Sequence, residues 1–348
     1  MIKISDREIG LKVRPYLIAE MSGNHNRSLE TAFAIIDAAA DAGADAIKLQ
    51  TYTANTMTLN LRTPGFVIED TNSLWAGRQL YDLYDEAHTP WKWHAALIDR
   101  AASKGIQCFS SPFDDSAVDF LESLDVPAYK IASFENTDLP LIRRVARTGK
   151  PVIISAGMAT LSEIAESVDA ARGAGCDKII LLKCTSTYPA TPADTNIRTI
   201  AHMRQTFGCE VGLSDHTMGC GVAIASLAFG ATVVEKHFTL NRADGGVDSA
   251  FSLEPHEFAM LRLEIDRAWQ SLGEVTYGGT IAEDKSRMFR RTLYIAREMK
   301  AGDVFTADNL RIVRPGFGLP PKYFEVILGK HIKQDVPAGT PMSWELLE

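Results

Sequence analysis

The chain has 348 residues, of which 46% are hydrophobic and 23% are charged, so it contains enough apolar material for a sizeable core. Its length suits a barrel of about 250 residues with a small additional domain, and its formal net charge of −8 argues against nucleic acid or an anionic membrane as the main partner. The N-terminus lacks the basic start and apolar core of a signal peptide, and no apolar run approaches the roughly 18 residues that span a bilayer, so we expect a cytoplasmic protein. The five cysteines are dispersed and show no CxxC spacing, so we expect free thiols.

From Tyr16 onward, short apolar runs alternate with amphipathic segments of helical spacing, and eight such units follow one another. Continuous apolar runs are typical of parallel strands covered by helices, and eight repeats favour a closed barrel over an open doubly wound sheet. We therefore predict an α/β fold in which residues 1–272 form a (β/α)8 TIM barrel with a catalytic role. The predicted strands are 16–20, 46–50, 107–110, 128–133, 152–155, 179–184, 210–214 and 232–236.

Three regions depart from this alternation. Residues 52–90, after the second strand, form a long loop with several aromatic residues, which favours a segment that covers a substrate over disorder. Residues 273–287 contain two adjacent glycines and a charged run and are interpreted as a linker. Residues 288–348 alternate short strand patterns with turns, so we predict a small β-rich domain there. The aromatic residues of the long loop are Trp75, Tyr81 and Tyr84.

Polar side chains stand at the carboxyl end of every predicted strand, where the active site of such a barrel lies. Lys48 and Lys130, together with several serines, predict an anion site, because lysine supplies charge and serine supplies adaptable donors. A buried lysine without an anionic partner is costly, which favours a bound phosphate or carboxylate. Two alternatives stay open: single serines can be helix caps or satisfied core hydroxyls, and one lysine can form a Schiff base, as in class I aldolases.

Two histidines follow the last two predicted strands, His216 in GLSDHT and His237 in EKHFT. A lone histidine is more often a satisfied hydrogen-bonding residue, but two at neighbouring strand ends favour a metal pair. Two nitrogens leave coordination positions for water and substrate oxygens. Such an open site suits a Lewis acid such as Mn²⁺ or Mg²⁺ better than structural zinc.

Carboxylates near these strand ends are candidates for proton transfer. Asp244 and Asp248 follow the eighth strand in a glycine-rich stretch, where they can orient a substrate hydroxyl or move a proton. Glu20 and Glu135 are the other acid/base candidates. Three further acids are interpreted as solvated charges of helices or loops: Asp41, Asp45 and Glu122.

Several stretches together match one known family. In the barrel they are IAEMSGNHN (18–26), AIKLQTY (46–52), YKIASFEN (129–136), IISAGMAT (153–160), CTSTYP (184–189), GLSDHT (212–217) and EKHFTL (235–240). They resemble the sialic acid synthase family, whose enzymes condense phosphoenolpyruvate with an N-acetylated amino sugar to give a nine-carbon 2-keto acid. In the tail, RPGFGLPP (314–321) and ILGK (327–330) resemble the antifreeze-like, or SAF, domain of these enzymes, a β-clip fold. The resemblance spans essentially the whole chain.

Within the family, the branch that makes pseudaminic acid is the better match. The stretches that resemble it are YTANTMT (52–58), LYDLYDEAHTPWKWH (80–94), SSPFDDSAVDFLE (110–122), IASFENTD (131–138) and RADGGVDSAFSLEP (242–255). The N-acetylneuraminate branch typically has an asparagine where Ser186 stands and a different loop after the eighth strand. The departure therefore falls on positions that face the substrate.

The resemblance implies a role for each candidate residue. A divalent metal, Mn²⁺ first with Mg²⁺ or Co²⁺ as alternatives, would be held by His216 and His237. Phosphoenolpyruvate would be bound by Lys48, Ser111, Lys130, Ser133, Ser155, Ser186 and Ser214. The catalytic residues would be Glu20, Glu135, Tyr188 and Asp248. The sugar would be contacted by Gln50, Tyr188, Asp248 and Arg314. Arg314 would reach from the SAF domain into the barrel mouth of a partner subunit, which implies a homodimer with swapped SAF domains.

The implied reaction joins phosphoenolpyruvate to 2,4-diacetamido-2,4,6-trideoxy-L-altrose and gives pseudaminic acid and phosphate. It forms the carbon–carbon bond with help from the metal and cleaves the C–O bond of phosphoenolpyruvate. The same chemistry on N-acetylmannosamine or on the legionaminic acid precursor is the first alternative. A Schiff-base aldolase and a non-catalytic sugar-binding protein, in which the SAF module does the binding, are the others.

Overall fold

The computed structural model describes residues 2–71 and 73–348. The chain divides into two compact units, Met1–Leu272 and Gly273–Glu348. None of the helices in these described ranges is long and apolar enough to cross a membrane.

Eight parallel strands of the first unit form a closed barrel, which confirms the predicted fold. A short antiparallel hairpin, β1 (Ile2–Ile4) and β2 (Arg7–Ile9), precedes them. The barrel strands are β3 (Tyr16–Glu20), β4 (Ala46–Thr51), β5 (Gln107–Pro112), β6 (Tyr129–Ile131), β7 (Val152–Ser155), β8 (Ile179–Cys184), β9 (Glu210–Asp215) and β10 (Val233–His237). Each pairs with the next in chain order, and the circle closes where β10 pairs with β3.

Helices surround the barrel and lie between the strands, where the sequence predicts amphipathic segments. The outer helices are α1 (Leu29–Asp41), α4 (His94–Ser103), α5 (Asp115–Ser123), α6 (Leu139–Ala146), α7 (Leu161–Gly173), α8 (Thr199–Phe207), α9 (Gly221–Ser226) and α10 (Pro255–Leu272). Two more, α2 (Ala54–Met57) and α3 (Leu80–Ala87), lie in the long loop between β4 and β5. Thr160 and Glu163 form a reciprocal capping box, which pairs backbone N–H groups at the start of α7 and so determines where that helix begins.

The apolar strands pack on both faces, so the barrel interior and the layer under the helices form one core. All five residues of β3 are buried. Gly212 in β9 is required by this packing, because a Cβ atom there would lie 2.2 Å from the carbonyl oxygen of Val233. Strand β6 is shorter than predicted, because a turn closed by Glu135 N–H and the Ala132 carbonyl begins directly after it.

The interpretation of Asp45 as a solvated charge is wrong. Its side chain is 10% exposed and lies 2.8 Å from Arg7 Nη1 and 3.1 Å from Arg262 Nη1. It also accepts a hydrogen bond from the backbone N–H of Leu17. Asp45 therefore fastens the N-terminal hairpin and α10 to the start of the barrel, at the end away from the strand ends that carry the candidate site.

The second unit has its own small core, which includes Leu293, Phe305 and Ile332. Among its described residues, one antiparallel sheet of two strands pairs β11 (Thr292–Ile295) with β12 (Leu310–Val313), and α11 (Phe324–Ile327) follows. Single bridges such as Met299–Val336 supply much of the remaining β structure. A 3₁₀ helix, Ile281–Phe289, overlaps the predicted linker, and its residues are exposed.

Candidate active site

A cavity of about 490 Å³ opens at the carboxyl ends of the barrel strands. Two different surfaces enclose it. The polar floor consists of strand-end side chains: Lys48, Gln50, Lys130, Ser133, Ser155, Cys184, Ser186, Ser214, His216, Glu235 and His237. The apolar wall comes from the long loop and from one residue after β5: Tyr52, Met57, Ile68, Trp75, Leu80, Leu83, Tyr84, Ala87 and Phe113.

Glu235 lies at the centre of the charges on the polar floor. Its Oε1 atom is 3.1 Å from Lys48 Nζ and 3.7 Å from Lys130 Nζ, and it accepts a hydrogen bond of 2.9 Å from Ser214 Oγ. Burial acts to raise the pKa of Glu235, but the two lysines outweigh it and lower that pKa to about 2. One carboxylate is therefore the shared anionic partner of two buried lysines.

Lys48 has a second anionic partner in Glu20, whose Oε2 atom lies 2.7 Å from Lys48 Nζ. Glu20 is fully buried and does not line the cavity. Burial lowers the pKa of Lys48 to about 8, although Glu235 opposes the shift. The two glutamates balance the charge of the two lysines, so the floor is electrically paired before any anion enters.

Serine hydroxyls extend the floor on the side of Lys130. Lys130 Nζ donates to Ser155 Oγ at 2.7 Å, and Ser186 Oγ donates to Ser133 Oγ at 2.8 Å. Gly157 makes this close approach possible, because a Cβ atom there would lie 2.5 Å from the Cβ atom of Ser133. Hydroxyls that bond only to each other or to an ammonium group can turn to donate to the oxygens of a bound anion.

The two histidines face each other across the floor, with ring centroids 5.3 Å apart. His216 Nδ1 lies 2.8 Å from the carbonyl oxygen of Thr185, which fixes the ring and leaves Nε2 available as a ligand. His237 is buried, and its Nδ1 atom has no hydrogen-bond partner in the part of the chain that the structure describes. Burial holds its pKa well below the usual value. A neutral imidazole with an unpaired nitrogen is the form that coordinates a metal.

These residues fit an open metal site rather than a closed one. In residues 2–71 and 73–348, no group of three or more His, Cys, Asp or Glu side chains could hold a metal ion. The histidine pair can therefore supply two ligands, and water or substrate oxygens have to supply the others.

Asp248 reaches the same region from the loop after β10. Its Oδ2 atom accepts a hydrogen bond from Ser22 Oγ and lies 3.7 Å from His237 Nδ1. Gln50 Nε2 links this group to the floor, since it donates to Glu20 Oε1 at 3.1 Å and to Ser22 Oγ at 3.3 Å. Burial raises the pKa of the Asp248 carboxyl.

Glu135 is the acid of the cavity that is poised to titrate. It lines the cavity, and none of the residues in 2–71 and 73–348 offers its buried Oε2 atom a hydrogen bond. Burial raises its pKa to about 7, although the charge of Lys130 opposes the shift. A carboxyl that exchanges its proton near neutral pH suits general acid or base catalysis.

The apolar wall is held by ring contacts. Tyr52 makes edge contacts with Tyr84 and Phe113, at centroid distances of 5.9 and 5.2 Å. Trp75 Nε1 donates to the Val247 carbonyl oxygen at 3.2 Å, which joins the long loop to the loop after β10. The long loop thus lines the cavity, and its role in covering a substrate stays a prediction. Tyr81 is the exception, because it does not line the cavity and bonds Asn55 instead.

Comparison with known proteins identifies the family. The NeuB family model matches residues 35–277, and the SAF domain model matches residues 290–348. The chain belongs to the NeuB family. It is 42% identical to a pseudaminic acid synthase of Campylobacter jejuni, over 93% of this chain and 94% of that protein. It is 40% identical to the pseudaminic acid synthase of Helicobacter pylori, over 96% of this chain and 98% of that protein.

A solved structure agrees with this assignment to the NeuB family. The N-acetylneuraminic acid synthetase of Leptospira borgpetersenii, in complex with citrate, matches with a TM-score of 0.73 at 31% sequence identity. The match covers 82% of this chain and 94% of that one. The resemblance to the sialic acid synthase family is therefore confirmed, as are the barrel and the SAF domain.

Most of the predicted site residues of this NeuB-family chain line one cavity. They are Lys48, Gln50, Lys130, Ser133, Glu135, Ser155, Ser186, Tyr188, Ser214, His216, His237 and Asp248. Glu20 lies under Lys48 rather than at the cavity surface. Arg314 lies in the second unit, directly after β12, and its contact with the sugar stays a prediction.

Ser111 is also buried away from the cavity surface. Its neighbour Ser110 bonds Thr51 Oγ1 on the helix side of the barrel, so alternation along β5 turns Ser111 toward the barrel interior. Ser111 is 1% exposed there, and its hydroxyl has no hydrogen-bond partner among the described residues. Its contact with phosphoenolpyruvate stays a prediction.

Sequence reasoning missed several residues of the site. Glu235 was counted only as part of an apolar run, although a charged residue in the middle of a buried strand was a signal for an internal ion pair. Ser22 and Cys184 also line the cavity. Their sequence gave no comparable signal, because a lone serine or cysteine after a strand is common.

Proposed function

We propose that this chain condenses phosphoenolpyruvate with 2,4-diacetamido-2,4,6-trideoxy-L-altrose and releases pseudaminic acid and phosphate. The relatives named pseudaminic acid synthases, which match along nearly their whole length, support this reaction. The observation that carries the proposal is one cavity that joins a polar floor with two lysines to an apolar wall. The first suits an anionic phosphate ester, and the second suits a sugar that is rich in methyl groups.

Phosphoenolpyruvate would lie on the floor. Lys130, Ser155 and the Ser133–Ser186 pair offer one charged and several neutral donors for its phosphate and carboxylate oxygens. Lys48 adds a second ammonium group. Because these groups are already held in place by one another, little further ordering is needed when the substrate binds.

The sugar would lie between the floor and the apolar wall. The proposed substrate has three methyl groups, two in its acetamido groups and one at C6, whereas N-acetylmannosamine has one. Each methyl group placed on an apolar surface is worth about 1–3 kcal/mol of discrimination. The wall therefore favours a deoxy, doubly acylated sugar. The legionaminic acid precursor has similar groups with different stereochemistry, so it remains the second candidate.

The cofactor in this proposal is a divalent metal, Mn²⁺ first with Mg²⁺ or Co²⁺ as alternatives, held by His216 and His237. The unpaired His237 Nδ1 atom and the fixed ring of His216 support it. When bound, such an ion supplies Lewis acidity that polarises the open-chain aldehyde of the sugar.

The residues of the chain would guide each bond change. The lysines and serines hold phosphoenolpyruvate so that its C3 attacks the aldehyde carbon, which leaves positive charge at C2. The ionised Glu235 carboxylate, between the two lysines, stabilises that charge. Glu135 accepts a proton from the water that adds to C2, and the alkoxide formed from the aldehyde takes up one proton in exchange. The tetrahedral intermediate then expels phosphate by C–O cleavage, and the proton of its C2 hydroxyl passes to the leaving phosphate. Asp248 orients a hydroxyl of the sugar.

A homodimer with swapped SAF domains is part of the proposal, with Arg314 reaching the sugar of the partner site. Exposed apolar side chains near the carboxyl ends of the barrel strands support a covering surface: Phe134, Met158, Leu161 and Met218. Such residues often mark a protein interface. Light scattering on the purified chain should give the mass of a dimer, and a monomer would contradict this part of the proposal.

A phosphate-release assay tests the function. Phosphoenolpyruvate and a divalent metal are supplied with one of three sugars: the trideoxy-L-altrose substrate, the legionaminic acid precursor, or N-acetylmannosamine. We expect the first sugar to give phosphate and pseudaminic acid with a much higher kcat/KM than either other sugar gives phosphate. Exclusive use of either other sugar would replace the assignment, and trapping of pyruvate by borohydride would instead reveal a Schiff base. The cytoplasm is the proposed location of the reaction.

A further inference from the structure

A buried asparagine, Asn24, lies beside the candidate site and has no part in the mechanism above. It follows β3 in the loop that also carries Ser22, and it is 2% exposed. A buried amide is costly unless its donors and its acceptor are paired. The partners of Asn24 therefore indicate its role.

The side-chain partners of Asn24, within the described ranges, all belong to the segment after β10. Nδ2 donates to the Phe238 carbonyl oxygen and to Ser252 Oγ, each at 2.9 Å. Oδ1 accepts from the backbone N–H of Asp248 at 3.1 Å. Ser252 Oγ donates in turn to the Asp248 carbonyl oxygen at 2.7 Å. The Asn24 amide thus holds the Asp248 N–H directly and the Asp248 carbonyl group through Ser252. It also binds the carbonyl group of Phe238, the residue that follows His237.

The packing leaves this contact little freedom. A Cβ atom at Gly246 would lie 2.7 Å from Asn24 Oδ1 and 3.0 Å from Asn24 Cα, so the loop approaches Asn24 as closely as a glycine permits. The Asp248 carboxylate, once its backbone is fixed, accepts from Ser22 and lies 3.7 Å from His237 Nδ1. The backbone contact with Asn24 therefore determines where that carboxylate lies.

We infer that Asn24 is a positioning residue, which holds Asp248 in the orientation that contacts the sugar and touches neither substrate itself. The inference rests on the proposed function, because it takes Asp248 to face the sugar. The partners of Asn24, among the residues described, include neither Lys48 nor Lys130. Loss of its contacts should therefore weaken use of the sugar and leave binding of phosphoenolpyruvate unchanged.

Asn24→Asp is the direct test, because a carboxylate of nearly the same shape still accepts from Asp248 N–H but cannot donate as Nδ2 does. Asn26→Asp is the matched control, since Asn26 lies in the same loop and makes only an exposed contact of 3.4 Å with the Asp244 carbonyl oxygen. We expect N24D to lower kcat/KM for the sugar by about 10-fold or more, with KM for phosphoenolpyruvate within about twofold. N26D should change neither.

The same substitution in an Asp248→Asn background separates positioning from a general structural role. If Asn24 acts through Asp248, N24D should cost less than about threefold there. An equal loss in both backgrounds, or an equal loss for both substrates, overturns the inference. So does a folded N24D variant with unchanged kinetics.

A second variant covers the case in which N24D does not fold. Ser252→Ala removes one buried hydroxyl from the same network and should show the same split between the two substrates, to a smaller extent. No split in S252A would overturn the inference. Thermal melting and calorimetric titration with phosphoenolpyruvate report on folding independently of turnover. Turnover by the unaltered chain tests the proposed function separately.

Discussion

The polar floor and the apolar wall of the cavity are built in opposite ways. The floor collects side chains from the ends of several strands, whereas the wall comes almost entirely from the insertion between β4 and β5. The floor is a network of paired charges around Glu235, and the wall is held by ring contacts and by one hydrogen bond from Trp75. In the proposed function, the floor would carry the reaction for any sugar, while the wall would select which sugar reacts.

The largest expected effect comes from His237→Ala, which removes one of the two floor imidazoles. Activity with every sugar should fall by about a thousandfold or more, even at saturating Mn²⁺, because the remaining histidine cannot hold the ion alone. Steady-state phosphate release measures it. His256→Ala is the control, since that side chain is 71% exposed, and it should behave as the parent. Retained turnover by a folded H237A variant would contradict the metal role.

Glu135→Gln should lower kcat by about a hundredfold through loss of a general base. The pKa of Glu135 is raised to about 7 by burial, so the carboxyl is neutral below that pH and ionised above it. A base works in its ionised form, and kcat of the parent should therefore rise as the pH increases through about 7. In the variant, kcat should no longer rise through about pH 7 with any of the sugars. A parent profile that falls through this range would assign Glu135 as an acid instead.

Glu235→Gln tests the paired charges of the floor. Lys48 has a pKa of about 8, and loss of the carboxylate that raises it should lower that pKa further. In the proposed mechanism the charged Lys48 ammonium binds phosphoenolpyruvate. The kcat/KM for that substrate should therefore fall as pH rises through the pKa of Lys48, near pH 8 in the parent and at lower pH in the variant.

At the pH where kcat/KM of the parent for phosphoenolpyruvate begins to fall, kcat/KM of E235Q should be about 10-fold lower than that of the parent. Ser214→Ala is the matched variant, since it removes only the hydroxyl that donates to Glu235 and keeps both lysines paired. Its pH limb should stay close to that of the parent. Identical pH profiles for E235Q and the parent would refute the electrostatic role of Glu235.

Trp75→Ala gives the smallest effect and the most selective one. It should lower kcat/KM for the trideoxy sugar by about 10-fold, with little change for N-acetylmannosamine or in KM for phosphoenolpyruvate, because the lost ring belongs to the wall and contacts neither lysine of the floor. Trp75→Phe keeps a ring and loses the hydrogen bond to Val247, so it should retain most of the selectivity. Equal losses for both sugars in W75A would place Trp75 in a general structural role.

The floor was more accessible to sequence reasoning than the wall. Polar residues at the ends of apolar runs, such as Lys48, Lys130 and His237, are visible without coordinates, because parallel strands of a barrel end at one face. The contents of the long loop were visible, but which of its aromatic residues turn inward was not. Trp75 lines the cavity and Tyr81 does not, and only their tertiary contacts decide this.

Contacts between distant loops account for most of what the sequence did not reveal. Asn24 and Asp248 are 224 positions apart, so no local pattern links them. Ser111 shows another limit, since the alternation of β5 turns its hydroxyl to the barrel interior, and whether it contacts phosphoenolpyruvate stays a prediction. Periodicity predicts elements and their ends, whereas pairing across loops depends on the packed structure.

Direct competition between sugars tests the division between floor and wall most closely. The parent and W75A would each receive phosphoenolpyruvate with equal amounts of the trideoxy-L-altrose sugar and N-acetylmannosamine, and mass spectrometry would give the product ratio. Pseudaminic acid should dominate with the parent, and its excess over N-acetylneuraminate should fall by about 10-fold in W75A. N-acetylneuraminate as the main product of the parent, or the same product ratio from both proteins, would contradict it.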